Sequence, residues 1–98
     1  MSLPITLRPE ASRDAQGARD YLEGQRAGLG QAFLDRLKEV LARIGDMPEM
    51  YGVVWRNVRA ARLRKFTYVV YYRVHSDRVE VLAVMHGSRD SSAWQARA

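Results

Sequence analysis

Pro48 divides this chain into two stretches of different hydrophobic period, and that change limits the fold more than any single residue does. Ahead of it, Ala11, Ala15, Ala18 and Leu22, then Leu29, Phe33, Leu37, Val40, Leu41 and Ile44, recur at the spacing that lines one face of a helix. Pro9 and Glu10 suit a first helical turn, where a missing N–H costs nothing and a carboxylate meets the positive end of the dipole. Gly24 and Gly28 punctuate the joint between the helices, and Gly45 is expected to end the second one shortly before Pro48. Two helices joined this tightly run antiparallel.

Beyond Pro48, β-branched and aromatic residues take over. Residues 67–74 and 79–86 read as two strands, with His75, Ser76, Asp77 and Arg78 as the hairpin turn. An even loop pairs Val74 with Val79, Tyr72 with Val81, Val70 with Ala83 and Tyr68 with Met85. The other face then sets Arg73 against Glu80, an attractive cross-strand contact, and puts Thr67 opposite His86. Residues 53–58 and 59–64 are strand-like or irregular, and residues 5–8 are expected to form a short opening strand. Residues 90–98 read as a terminal helix capped by Asp90 or Ser91. The expected class is α+β: an N-terminal strand and an antiparallel helical hairpin on an antiparallel sheet of three to four strands, with a short C-terminal helix.

Ninety-eight residues suit one domain spanning 1–98. Hydrophobic residues at 47% and charged residues at 28% exclude disordered and low-complexity classes. No apolar run approaches the ~18 residues of a membrane span. Met1-Ser2-Leu3-Pro4 lacks the basic-then-apolar pattern of a secretory signal, so a cytoplasmic protein with no membrane partner is expected. The absence of cysteine removes disulfides, thiolate metal sites and a cysteine nucleophile.

Charge is unevenly placed. Residues 1–49 carry seven basic and eight acidic side chains, whereas residues 50–98 carry nine basic and three acidic ones. Between Met50 and Ser76 stand Arg56, Arg59, Arg62, Arg64, Lys65 and Arg73, with no acid among them. A one-sided cationic surface points to nucleic acid or an acidic protein segment as partner. Arg62, Arg64 and Lys65 stand beside Tyr68, Tyr71 and Tyr72 in sequence, and His86 and Arg89 arrive from the exit of the last strand. Guanidinium groups take phosphates or carboxylates in bidentate fashion, and aromatic faces stack on bases, although strands select tyrosines for packing in any case.

Other patterns carry less. Gly28-Leu29-Gly30 follows a helix and lacks a third glycine, so it is a turn rather than a dinucleotide loop. His86, Ser88 and Asp90 hold the residue types of a nucleophilic triad, but no Gly-x-Ser-x-Gly elbow surrounds them. His75 and His86 fall at opposite ends of the hairpin, roughly 26 Å apart along a strand, too far to share a metal. Met47, Met50 and Met85 read as loop or gap-filling residues. No cofactor or metal is expected.

The helical hairpin, the strand Phe66-Thr67-Tyr68-Val69-Val70-Tyr71-Tyr72-Arg73-Val74 and the ending Met85-His86-Gly87-Ser88-Arg89-Asp90 together resemble the ParE/RelE toxin superfamily. These are small toxins of bacterial type II toxin–antitoxin modules, also known as plasmid stabilisation proteins. The resemblance implies a cognate antitoxin as partner. It also implies one of two activities: ParE-like inhibition of DNA gyrase, or RelE-like, ribosome-dependent cleavage of mRNA. Of the positions RelE-like enzymes use, the arginine opening the central strand falls on Tyr68, the arginine ending the last strand is matched by Arg89, and the tail tyrosine is absent, with Trp94 the nearest aromatic. The ParE-like branch is therefore favoured, and the expected target- or antitoxin-binding residues are Arg59, Arg62, Arg64, Lys65, Tyr71, His86, Arg89 and Trp94. In the alternative, an endoribonuclease acting on ribosome-bound mRNA, Arg62, Arg64, Lys65 and Arg89 are the phosphate and transition-state clamps.

Overall fold

In the computed structural model, which describes residues 2–98, the order is β1 (Ile5–Leu7), α1 (Pro9–Gln25), α2 (Leu29–Asp46), β2 (Val53–Trp55), β3 (Val58–Arg62), β4 (Tyr68–Val74), β5 (Val79–His86) and α3 (Ser92–Gln95). The class is α+β, as the change of period indicates. Gly28, at φ 89°, makes the bend between α1 and α2. The Glu23 carboxylate then accepts the N–H groups of Gly28 and Gly30, so the end of one helix caps the start of the next. These backbone donors hold the Glu23 carboxyl below its ordinary range.

The sheet departs from the expected three to four antiparallel strands. It has five, in the order β1-β5-β4-β3-β2, and β1 lies parallel to β5. Val79 N–H donates to the Pro4 carbonyl at 2.9 Å, and Arg8 N–H donates to the Val81 carbonyl at 3.1 Å. The helical hairpin and three strands separate these partners in sequence, so a local period carries no trace of the pairing.

The register holds at the turn and then slips. Val74 faces Val79, Arg73 faces Glu80 and Tyr72 faces Val81, as expected. Beyond that point Tyr71 faces Ala83, Val70 faces Val84, and Tyr68, rather than Thr67, faces His86. Leu82 is the extra residue of a β-bulge, which turns Leu82 and Ala83 to the same face. Val84 consequently joins Val70 and Tyr72 beneath the helices, while Met85 turns away from them. Gly45 also differs from its expected role as a terminator, because it lies inside α2. There it admits the N-terminal segment: Leu3 N–H donates to the Gly45 carbonyl, and a Cβ would come within 3.1 Å of Leu3 O.

Both faces of the sheet are apolar. On one, Ala11, Ala15 and Ala18 of α1 and Phe33, Leu37, Val40 and Ile44 of α2 pack over Val70, Tyr72, Val79, Val81 and Val84. Phe33 meets Phe66 and Tyr68 edge-on, at centroid distances of 5.8 and 5.2 Å. On the other, Val58, Tyr71, Leu82, Ala83 and Met85 are covered by Trp94 from α3.

Candidate functional site

The chain leaves β5 at His86 and turns through Gly87, Ser88 and Arg89, with Gly87 N–H donating to the Thr67 carbonyl at 2.6 Å. That tie fixes the His86 ring in a small polar network. Ser88 N–H donates to His86 Nδ1 at 3.1 Å, which makes Nδ1 an acceptor and leaves the ring proton on Nε2. Nε2 then donates to Thr67 Oγ1 at 2.7 Å, and the Ser88 hydroxyl donates to Nδ1 at 2.7 Å. Asp90 takes no part: its carboxylate accepts Ser92 N–H, which holds its carboxyl below the usual range and starts α3. The sequence motif of His86, Ser88 and Asp90 is therefore a turn, not a relay ending on the acid.

Two clefts flank this ring. In one, Arg62 faces Thr67, His86, Gly87 and Ser88. The other lies between α1 and the exit of β5, with Arg13, Tyr21, Tyr68, His86 and Arg89 around it. Tyr68 stands edge-on to His86 with ring centroids 5.5 Å apart, and burial, with Tyr21 alongside, pushes its phenol up.

The eight residues singled out from the sequence do not all gather here. Arg62, His86 and Arg89 come together around the clefts. Arg64 and Lys65 stand exposed in the adjoining β3–β4 turn, Lys65 at φ 67° and Arg64 Nε 3.8 Å from Glu39 Oε1. Arg59, three residues back along β3, donates to the carbonyls of Tyr51 and Glu49 at 2.7 and 3.1 Å. Tyr71 and Trp94 are buried and stack on each other.

Four neighbours are additional to those eight. The expected register already set Thr67 opposite His86, and Ser88 follows His86 by two residues; both hydrogen-bond the imidazole although the bulge puts Tyr68 opposite it. Arg13 and Tyr21 lie eight residues apart on one helical face with Gly17 between them, a spacing that was legible but whose partner across the cleft was not.

Comparison with known proteins bears on family and fold. The family model described as the ParE toxin of type II toxin–antitoxin systems, parDE, matches residues 5–91. Toxin ParE2, from two strains of Mycobacterium tuberculosis, is 33% identical over 57 residues, covering 58% of this chain and 54% of the relative. The chain thus spans about half the length of the curated relatives it matches. Among solved structures, the chromosomal ParDE system of P. aeruginosa superposes with a TM-score of 0.65 at 11% identity, covering 87% of this chain and 96% of that one. The RelBE2 toxin–antitoxin complex of Mycobacterium tuberculosis gives 0.62 at 16% identity, covering 88% and 99%. At such identities these two likenesses speak for the fold alone. The family model is the stronger finding, because it runs from β1 through the exit of β5 and takes in the residues around His86: the chain belongs to the ParE toxin family of type II toxin–antitoxin systems.

Proposed function

We propose that this protein arrests bacterial growth by binding DNA gyrase, and that a cognate antitoxin neutralises it. Tyr68 carries the gyrase reading. A strand cleavage through 2′-OH attack needs a fixed cation at the phosphate and a base near neutrality. At the start of the central strand this chain offers instead a phenol packed between Phe33 and His86. Burial raises that phenol further from the range in which it would act as a base. Such a surface supports binding rather than bond-making by its own side chains.

The antitoxin reading draws support from uncovered surface. Arg62, Arg64 and Lys65 are exposed, and so are Met47, Met50, Val53 and Val54 along the β2 side of the sheet. An acidic, partly apolar segment that orders on binding would complement both. The two structural neighbours are toxin–antitoxin systems by description, which fits the same reading.

A second reading, ribosome-dependent mRNA cleavage, has one observation in its favour: Arg62 and Arg89 line clefts on either side of His86, and guanidinium groups suit phosphate oxygens. One experiment separates the two. Induce the protein, map mRNA 5′ ends, and assay supercoiling by purified gyrase in parallel. Blocked supercoiling with uncut mRNA is the expected result, reversed by co-expression of the antitoxin. Codon-phased mRNA cuts with normal supercoiling would replace gyrase with the ribosome.

A further inference from the structure

Gly17 occupies the middle of α1, where glycine is among the poorest helix formers. Nothing inside the protein demands it. A Cβ at Gly17 would meet no atom within 4 Å, whereas one at Gly30 would crowd the Arg19 carbonyl at 2.9 Å. What the missing side chain leaves open is the floor of the cleft between α1 and the exit of β5, a space of about 350 Å³.

Arg13 and Tyr21, one helical turn to either side of Gly17, border this floor on α1, and Tyr68 and Arg89 border it from across the cleft. Neither arginine forms a salt bridge among the described residues. The one carboxylate in the lining, Asp14, is already occupied. Arg97 donates to its two oxygens at 2.6 and 3.3 Å, and Val84 N–H donates to Oδ2 at 3.1 Å. The cleft therefore presents two uncommitted guanidinium groups and two aromatic rings around bare helix surface, with its only acid neutralised.

We propose that this cleft binds a nucleoside phosphate, with the phosphate held by Arg13 and Arg89 and the base packed on Tyr21 and Tyr68 over Gly17. Guanidinium groups match phosphate geometry in bidentate fashion, and every base offers a flat face to an aromatic ring. The volume falls at the lower end of the ~300–1,000 Å³ of small-molecule sites, room for a single nucleotide unit. A plain carboxylate would satisfy the arginines while leaving the tyrosines and the open floor without a role. The unit's source is a free nucleotide or one residue of a single strand. This inference does not depend on gyrase being the target.

Calorimetric titration of the purified full chain with the four 5′-ribonucleoside monophosphates, adenosine and inorganic phosphate tests it. At least one monophosphate should bind about tenfold tighter than either adenosine or phosphate alone, a gap of ~1.4 kcal/mol. Arg13→Ala and Arg89→Ala, both at exposed positions, should each weaken that binding about tenfold. Gly17→Ala should raise the melting temperature and still weaken binding, a combination that damage to the fold does not produce. A tetranucleotide that binds with the same dependence on Arg13, Arg89 and Gly17 supports the site and identifies a strand as the source. The proposal is overturned if no monophosphate binds at millimolar concentration, if the double arginine variant binds like wild type, or if Gly17→Ala leaves affinity unchanged.

Discussion

Tyr71 and Trp94 lie face to face, their ring centroids 4.4 Å apart and their planes 12° from parallel. Trp55 meets the same indole edge-on at 6.1 Å. A helix as short as α3 does not hold itself in water, so its position depends on this docking. Arg97 adds a second tie by donating to Asp14 and to the Leu82 carbonyl, and Arg8 donates to the Arg97 carbonyl. Trp94→Ala is expected to cost ~3–5 kcal/mol, the range for deleting a buried aromatic ring. Urea unfolding measures it, and Trp94→Phe should recover much of the loss. A Trp94→Ala protein of wild-type stability that no longer arrests growth would assign the ring to a binding surface.

Arg59 and Arg62 share β3 but answer to different constraints. Arg59 holds the Glu49 and Tyr51 carbonyls in the segment before β2, so Arg59→Ala should cost ~1–2 kcal/mol through lost charge-assisted hydrogen bonds. Arg62 is exposed beside the His86 cleft, and Arg62→Ala should change stability by less than ~0.5 kcal/mol. Melting curves of the two variants, set beside their growth inhibition, separate a structural cation from a functional one. Equal destabilisation by both would remove the distinction.

Alkaline pH should expose Tyr72. Its hydroxyl donates to the Pro48 carbonyl at 2.7 Å, and burial pushes its pKa up to about 12 even though the Arg59 guanidinium pulls the other way. In an unfolded chain the same phenol titrates near ~10. Between the two values the unfolded chain releases a proton that the folded one keeps. The resulting stability is complete below pH ~10 and declines as pH rises towards 12. Tyr72→Phe should lose ~1 kcal/mol at neutral pH with the hydrogen bond, yet fall off less steeply in alkali. Denaturant melts at about pH 8 and about pH 11 decide it. Identical alkaline slopes for both proteins would contradict the assignment.

What could be read from the sequence follows the range of the interactions involved. The stripe from Phe33 to Ile44 and the turn from His75 to Arg78 are local, and both formed as their spacing indicates. The β1–β5 pairing and the approach of Leu3 to Gly45 join distant segments, and no periodicity records them. The Leu82 bulge lies in an unbroken apolar run, where alternation between two apolar faces leaves no mark to show a slip. For the same reason Tyr71 is expected from the sequence among the binding residues: its strand has a hydrophobic residue on either side, and only α3 shows that the second face is covered. The cationic block was legible as composition. Which of its arginines are already engaged was not, because the partners of Arg59 are backbone carbonyls, which every residue carries.

Those engagements sharpen the antitoxin proposal. Arg62, Arg64 and Lys65 surround the β3–β4 turn in exposed positions, and the carboxylate of Glu39, which stands 3.8 Å from Arg64, also pairs with Arg36. An acidic antitoxin segment should dock there, and because its partners remain near solvent, the contribution should be screened by salt. Arg62→Glu combined with Lys65→Glu should weaken association at least ~tenfold and flatten its dependence on ionic strength, while leaving the melting temperature near that of wild type. Arg59→Glu, in contrast, should act through stability. Binding of the cognate antitoxin at rising salt reads both effects. Tight, salt-independent association by the double variant would move the antitoxin contact to the apolar side of the sheet, where Met47, Val53 and Val54 are uncovered.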